Sequence, residues 1–280
     1  MFFPGLPVLG GAENETLLGS SRIVGQTSSF TLFRTGPWLL GVATQPLLPC
    51  LETATHRLYG ELLQATHGLH LARIWNYVPA INEPDASGLE NYRVFCRARA
   101  LAFEQHFGAN FHAYLPSASA VGCKSAALTV IFAASTTKPR HLENPRQIPA
   151  YRYPAEYGPR SPSFARATVV HGPERDTVFI SGTAAIIGHA TIAPHSTAQQ
   201  LDCVLENLRA ISLACNLGPI LQTNASHTRQ FKVYLRHPAD QPFVATFLNE
   251  RLFCHTDHVS YLHADICRLP LSVEIEATLF

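Results

Sequence analysis

The order of apolar patterns constrains this chain most. From residue 29 onward it runs strand-like, strand-like, helical, strand-like, helical, strand-like, and then repeats that order. In the first half, strands are predicted over 29–34 and 38–43, with Thr35-Gly36-Pro37 as the turn between them. A helix over 51–66 follows, spaced through Leu51, Ala54, Leu58 and Leu62, then a strand over 69–77. A second helix, over 88–107, carries Tyr92, Phe95, Ala98, Leu101 and Ala102, and a strand covers 126–134. In the second half, strands are predicted over 167–170, 177–182 and 228–235. Helices are predicted over 196–214, with Leu201, Val204, Leu205, Leu208 and Ile211 as its stripe, and over 242–253, before the terminal strands. Each half reads as a mixed β-sheet covered by helices on one face, an α/β (α+β) arrangement. The halves are not similar residue by residue, so duplication is inferred from element order alone. Residues 1–25 read as an irregular lead-in.

At 280 residues the chain is comfortable for two modules sharing a core. Only 15% of residues are charged, which points toward buried contacts between subunits. A net charge of +1 gives neither nucleic acid nor a membrane surface an electrostatic handle. No apolar run reaches the length of a membrane span, and Met1-Phe2-Phe3-Pro4-Gly5 lacks the basic start and long apolar core of a secretion signal. The seven cysteines are scattered, with no CxxC pair and no zinc spacing, which reads as a reduced cytoplasmic interior. The fourteen histidines complete no convincing ligand set, so no metal site is predicted.

Residues 136–166 differ from both halves. They are dense in proline, in arginine (Arg140, Arg146, Arg152, Arg160, Arg166) and in tyrosine (Tyr151, Tyr153, Tyr157). Solvated linkers seldom hold so many aromatics beside so many arginines. Tyr151 and Tyr153 alternate, so they share a face if the backbone is extended. The chain therefore divides into a module over 1–135, a connecting segment over 136–166 and a module over 167–280. The last of these ends in a strand of period two, with Val273, Ile275 and Ala277 on one face and Glu274, Glu276 and Thr278 on the other. Two carboxylates on one strand face are costly unless water or a partner satisfies them. A carboxyl held on a rigid strand also becomes a proton donor once its pKa is raised.

The second half resembles the RidA-like (YjgF-type, chorismate-mutase-like) fold. The resemblance lies in Phe179-Ile180-Ser181-Gly182-Thr183, Thr197-Ala198-Gln199-Gln200-Leu201, Glu206-Asn207-Leu208, Arg268-Leu269-Pro270 and Glu274-Ile275-Glu276-Ala277. In RidA-type deaminases an arginine seven residues before the Arg-Leu-Pro arginine binds the substrate carboxylate. That position here is Tyr261, which argues against simple imine deamination.

Nearly all of the chain after residue 25 resembles the chorismatases, in which a degenerate RidA-like copy precedes the RidA-like half. This rests on Arg73-Ile74-Trp75-Asn76-Tyr77-Val78-Pro79, Glu90-Asn91-Tyr92-Arg93-Val94-Phe95-Cys96, Pro116-Ser117-Ala118-Ser119-Ala120-Val121-Gly122, Lys138-Pro139-Arg140-His141-Leu142-Glu143-Asn144-Pro145-Arg146 and Ser161-Pro162-Ser163-Phe164-Ala165-Arg166-Ala167. The resemblance implies cleavage of chorismate to pyruvate and a ring carboxylic acid, without metal or organic cofactor. Such a dianion calls for guanidinium groups at two places. Arg146 and Arg166 are the favoured carboxylate ligands, with Arg140 a further candidate and Arg268 reaching the substrate or supporting its own strand. Tyr151 and Tyr153 are candidates for ring contact, packing being the equal alternative. Glu274 is the candidate acid for protonating the enol methylene, with Glu276 one step further along the same face and nearer the edge. Within the resembled family, the position of Cys267 is a product selector. Cysteine there matches the 3-hydroxybenzoate branch, and a small inert residue matches the branch giving a dihydroxy-cyclohexadiene acid; release of 4-hydroxybenzoate as well stays open. The alternatives are an imine or enamine deaminase and a non-catalytic binding module for small carboxylates. The resemblance leaves monomer and homotrimer both open.

Overall fold

The computed structural model describes residues 3–16, 18–48, 50–219, 221 and 227–280; Met1, Phe2 and Leu17 of the lead-in lie outside the described residues. The first part of the chain forms β1 (Val8–Gly11), β2 (Arg22–Gln26), β3 (Thr31–Thr35), β4 (Trp38–Pro46), α1 (Leu51–Ala65), β5 (His70–Pro79), α2 (Asn91–Phe107), β6 (Ser117–Cys123) and β7 (Ala127–Ser135). The connecting segment contributes β8 (Arg140–Leu142). Then come β9 (Ala167–Val170), β10 (Thr177–Ala184), a two-stranded ribbon of β11 (Ile186–Ile187) and β12 (Ala190–Thr191), α3 (Thr197–Ala214), β13 (Arg229–Leu235), α4 (Gln241–Arg251), β14 (His258–His263) and β15 (Val273–Leu279).

Two mixed sheets result, ordered β2-β3-β4-β7-β5-β6 and β1-β14-β13-β15-β10-β9-β8. Their wiring is the same: β3-β4-α1-β5-α2-β6-β7 corresponds to β9-β10-α3-β13-α4-β14-β15. In each, one parallel pair (β5 with β6, β13 with β14) is joined by a helical crossover, as parallel pairing requires. The predicted helical stripe Leu51, Ala54, Leu58, Leu62 is buried along α1, and Ser196 caps α3 by accepting from the backbone N–H of Gln199.

The lead-in is not irregular. Its β1 pairs with β14, capping an edge of the second sheet, and its β2 pairs with β3. Neither run shows apolar alternation; they are strands because a neighbour offers an open edge of backbone donors and acceptors. β6 also escapes the pattern. Ser117-Ala118-Ser119-Ala120-Val121-Gly122-Cys123 is a row of small residues with weak strand preference. It is a strand because β5 pairs with it and the second module grips it. The Ser117 N–H donates to Thr168 Oγ1, and the Ala118 N–H donates to Ser181 Oγ, each at 2.8 Å.

The sheets pack face to face. Along β5, Ile74 and Val78 enter the core under α1 and α2, while Trp75 and Tyr77 enter the core shared with the second module. Trp38 and Trp75 meet Phe179 edge-on across this seam, at 5.7 and 6.1 Å between ring centroids. The alternation of β15 turns Val273, Ile275 and Ala277 toward the core under α3, and Glu274 and Glu276 into the seam. Among the described residues, no helix is long and apolar enough to cross a membrane.

Candidate active site

A cavity of about 460 Å³ opens where α2 and β6 of the first module face β10, β15 and the 264–272 turn of the second. The connecting segment supplies a further wall. Tyr92, Phe95, Cys96 and Arg99 come from α2, Ser119 from β6, and Tyr153, Tyr157, Phe164 and Arg166 from the connecting segment. Gly182 comes from β10, Cys267 and Arg268 from the turn, and Glu274 from β15.

Glu274 is 3% exposed and opens only onto this cavity. The pairing of β10 with β15 slips between Ile180 and Thr183. The slip brings the backbone of Gly182 against the Glu274 carboxyl, where any side chain at 182 would overlap it. Burial pushes the pKa of Glu274 up to about 8, the charge of Glu276 adds to the rise, and Arg73 and Arg166 oppose it. Neither arginine is paired to it. Arg73 binds Glu276 at 2.6 Å and Ser119 at 2.9 Å, and Arg166 donates to the Tyr153 hydroxyl at 2.6 Å. A carboxyl in this setting carries its proton near neutral pH and faces an open, largely apolar space.

Glu276 is not near the edge. β15 runs between β13 and β10 in the middle of its sheet, and Glu276 is clamped by Arg73, by the Trp75 indole N–H at 2.8 Å and by Lys232 at 3.1 Å. Burial by itself would raise its pKa, but Lys232 and Arg73 overcome that and bring it down to about 2.

Two buried arginines, one on α2 and one at the end of the connecting segment, line the cavity. Arg166 lies over Phe164, 4.8 Å from guanidinium carbon to ring centroid, and its Nε has no hydrogen-bond partner among the described residues. Arg99 packs over Tyr59 and Phe103, and its Nε and Nη2 have none either. Leaving such donors unmet costs free energy, so each is poised for an anion entering the cavity. Arg268 is differently placed. Its Nη1 donates to the His189 carbonyl at 2.7 Å and Thr191 Oγ1 at 3.2 Å, and its guanidinium stacks on Tyr157 at 4.1 Å. Cys267 keeps part of its surface open to the cavity, while burial and then Glu274 push its thiol up to about 12, so it stays protonated.

Of the residues singled out from sequence, Glu274, Cys267, Arg166, Arg268 and Tyr153 line the cavity; Arg146, Arg140 and Tyr151 do not. Arg146 is spent on α3, donating to Asn207 Oδ1 at 3.0 Å with Glu206 3.6 Å away. Arg140 is exposed on β8, the outer strand of the second sheet. Tyr151 sits in a 3-10 turn, Ala150–Arg152, that rotates it away from Tyr153 and sets it against the His112 ring, tilted at 33° with 4.8 Å between centroids. The extended backbone that would align the two tyrosines is absent there. Tyr261 is buried in the second core on β14, away from the cavity. Arg99 is the cavity-lining arginine that sequence reading passes over. Its signal is an arginine at i+4 from Phe95 and i−4 from Phe103, inside an apolar helix face. Among the described residues, no three His, Cys, Asp or Glu side chains converge as metal ligands.

Known proteins are similar to this chain in sequence and in fold. A family described as "Chorismatase FkbO/Hyg5-like, N-terminal" matches residues 18–134. A 3-hydroxybenzoate synthase from Streptomyces hygroscopicus is 38% identical over 224 residues, covering 77% of this chain and 65% of its own length. A chorismatase from the same organism is 37% identical over 263 residues, covering 90% of this chain and 74% of its own. A crystal structure of a chorismatase superposes with a TM-score of 0.84 at 34% identity, over 92% of this chain and 80% of that one. This chain thus spans a little under two thirds of the first relative's length.

Proposed function

The chain belongs to the chorismatase family, and from that premise we propose that it cleaves the enolpyruvyl ether of chorismate to pyruvate and 3-hydroxybenzoate. The observation that carries this reading is Glu274, a carboxyl with its pKa at about 8 facing a cavity flanked by two buried arginines with unmet donors. Glu274 protonates the methylene carbon of the enol ether. The oxocarbenium centre so formed weakens the bond from the ether oxygen to the ring, and the side chain leaves as pyruvate when the neighbouring ring hydroxyl oxygen displaces it. That displacement closes an epoxide on the ring and frees the hydroxyl proton. The bond to the carbon that first carried the hydroxyl then opens, the carbon that keeps the oxygen loses its proton, and the oxygen takes one up, so the ring is aromatic and the two products together contain the atoms of chorismate. Were water to displace the side chain instead, one water would be consumed and a dihydroxy-cyclohexadiene acid released.

Arg99 and Arg166 are the proposed carboxylate ligands, one from the first module and one from the connecting segment, in place of Arg146 and Arg140. Tyr153 orients Arg166 through its hydroxyl. Arg268, already committed to backbone and hydroxyl acceptors, frames the wall beside Cys267. Cys267 is the proposed product selector: a neutral thiol against the ring, assisting aromatisation of the intermediate. The seven unpaired cysteines are in keeping with a reducing, cytoplasmic setting.

Incubating the purified protein with chorismate, and following pyruvate and aromatic acids by chromatography, tests this. Equimolar pyruvate and 3-hydroxybenzoate are expected. Glu274→Gln should lose about 100-fold or more in kcat, the usual contribution of a positioned acid. Cys267→Ala should divert product toward the dihydroxy diene acid. The absence of pyruvate from the wild type overturns the reaction, full turnover by Glu274→Gln overturns the acid, and an unchanged product ratio in Cys267→Ala overturns the selector.

A further inference from the structure

We infer that Glu276 is a positioning residue for this reaction: clamped between the two sheets as a fixed negative charge, it keeps the proton on Glu274. The inference rests on the reading of Glu274 as the acid. Its ground is the charge balance of the buried seam. Glu276 is bound by Arg73 from the first module and by Lys232 from β13, and Lys232 is bound in turn by Glu15 of the lead-in at 2.7 Å. Arg73 and Lys232 therefore hold Glu276 as a fixed carboxylate on the same strand face as Glu274. All four side chains are 8% exposed or less. If Glu274 ionised it would place a second negative charge on that face, about 7 Å along the strand from Glu276.

These groups face Glu274. Glu276 shares its face of β15; Tyr234 stands opposite on β13, with its hydroxyl unpaired among the described residues; Arg73 faces it from β5. On the cavity side lie Arg166, Cys267 and Arg99, with Glu90, Tyr92, Arg93, Cys96, Tyr153, Tyr157 and Arg268 on the same wall, while β10 offers no charged group. Glu276 is the carboxylate that shares the strand face of Glu274. The first module and the lead-in hold that carboxylate in place, so the protonation state of the second module's acid is set in part from outside that module.

The sign can be reversed, which makes the inference testable. Glu276→Gln removes a negative charge from the seam, which favours ionised Glu274. The alkaline limb of the kcat–pH profile should move at least about one unit toward acid, so that activity above the limb falls tenfold further than activity at pH 6. Lys232→Met removes a positive charge from the seam, and the same limb should move toward alkali. Direct titration of the Glu274 carboxyl by ¹³C NMR, assigned with Glu274→Gln, should follow the same two directions without depending on turnover. A uniform loss at every pH in Glu276→Gln, with an unmoved Glu274 titration, overturns the inference and leaves Glu276 a structural residue. If Glu276→Gln does not fold, an unmoved or acid-shifted limb in Lys232→Met overturns it alone. An active Glu274→Gln defeats the acid reading instead, and the NMR titration still reports whether Glu276 governs the proton.

Discussion

Burial alone would raise Glu274 and Glu276 alike, since both are 3% exposed on the same strand. They diverge because Glu276 meets two cations and an indole N–H, while Glu274 meets a glycine and an open cavity. The divergence has a consequence for stability. Glu274 titrates at about 8 when folded, against an ordinary value of about 4.3 in the unfolded chain. Between those two values the unfolded state releases a proton that the folded state keeps, so this residue makes stability fall as pH rises through the window. Glu276, held at about 2, acts oppositely: its contribution is intact above the ordinary glutamate value and is lost only as pH falls toward 2. Glu274→Gln removes the first effect alone. Its melting temperature should gain on that of the wild type steadily from pH 5 to pH 8, read by scanning calorimetry. A gap that stays constant across that range would contradict the burial of this carboxyl.

Among the elements, α2 and the connecting segment divide the arginines by what their neighbours already demand. Arg146 is held by Asn207, whose amide also donates to the Ala184 and Ile186 carbonyls at 3.1 and 2.8 Å. Asn144 donates to the Asn207 carbonyl at 2.9 Å, so this arginine belongs to a tie between the segment and α3. Arg99 belongs to no such tie. Arg146→Ala should cost about 1 kcal/mol of stability in urea titrations and leave KM unchanged. Arg99→Ala should lower kcat/KM for chorismate about 10- to 100-fold, the worth of a charged hydrogen bond, with KM carrying most of the change. Equal effects of the two substitutions on KM would remove the distinction.

Across the whole molecule, the modules are joined through polar atoms as well as aromatics. Ser181 accepts from the Ala118 N–H and donates to the Ala165 carbonyl at 2.6 Å, so β6, the connecting segment and β10 meet at one buried hydroxyl. Around it lie the Trp38–Phe179 and Trp75–Phe179 contacts and the Arg73–Glu276 pair. A seam of this kind makes separate unfolding of either module expensive, and urea should unfold both in one transition. Ser181→Ala strands the buried Ala118 N–H and should cost about 1–3 kcal/mol without a change in KM. Two resolved transitions in the wild type would mean that the seam does not couple the modules.

Local periodicity is what a linear chain displays, and the parts of this protein that depend on it were readable. The duplicated order of strands and helices, the stripe of α1 and the placement of Glu274 and Glu276 on a common face all follow from repeats of 3.6 and 2 residues. The motif around Arg268-Leu269-Pro270 likewise led to Cys267, which lines the cavity. Composition marked the connecting segment but could not rank its arginines, because Arg146 and Arg166 differ only in what lies across from them: Asn207 for one, Phe164 and Tyr153 for the other. β1, β2 and β6 were hidden for a related reason, since each is a strand by virtue of the edge it completes. Which of two alternating glutamates keeps its proton was settled by residues about 40, 200 and 260 positions away, in Lys232, Arg73 and Glu15. Electrostatic and sheet-edge partners meet through space, and their spacing along the chain carries no trace of it.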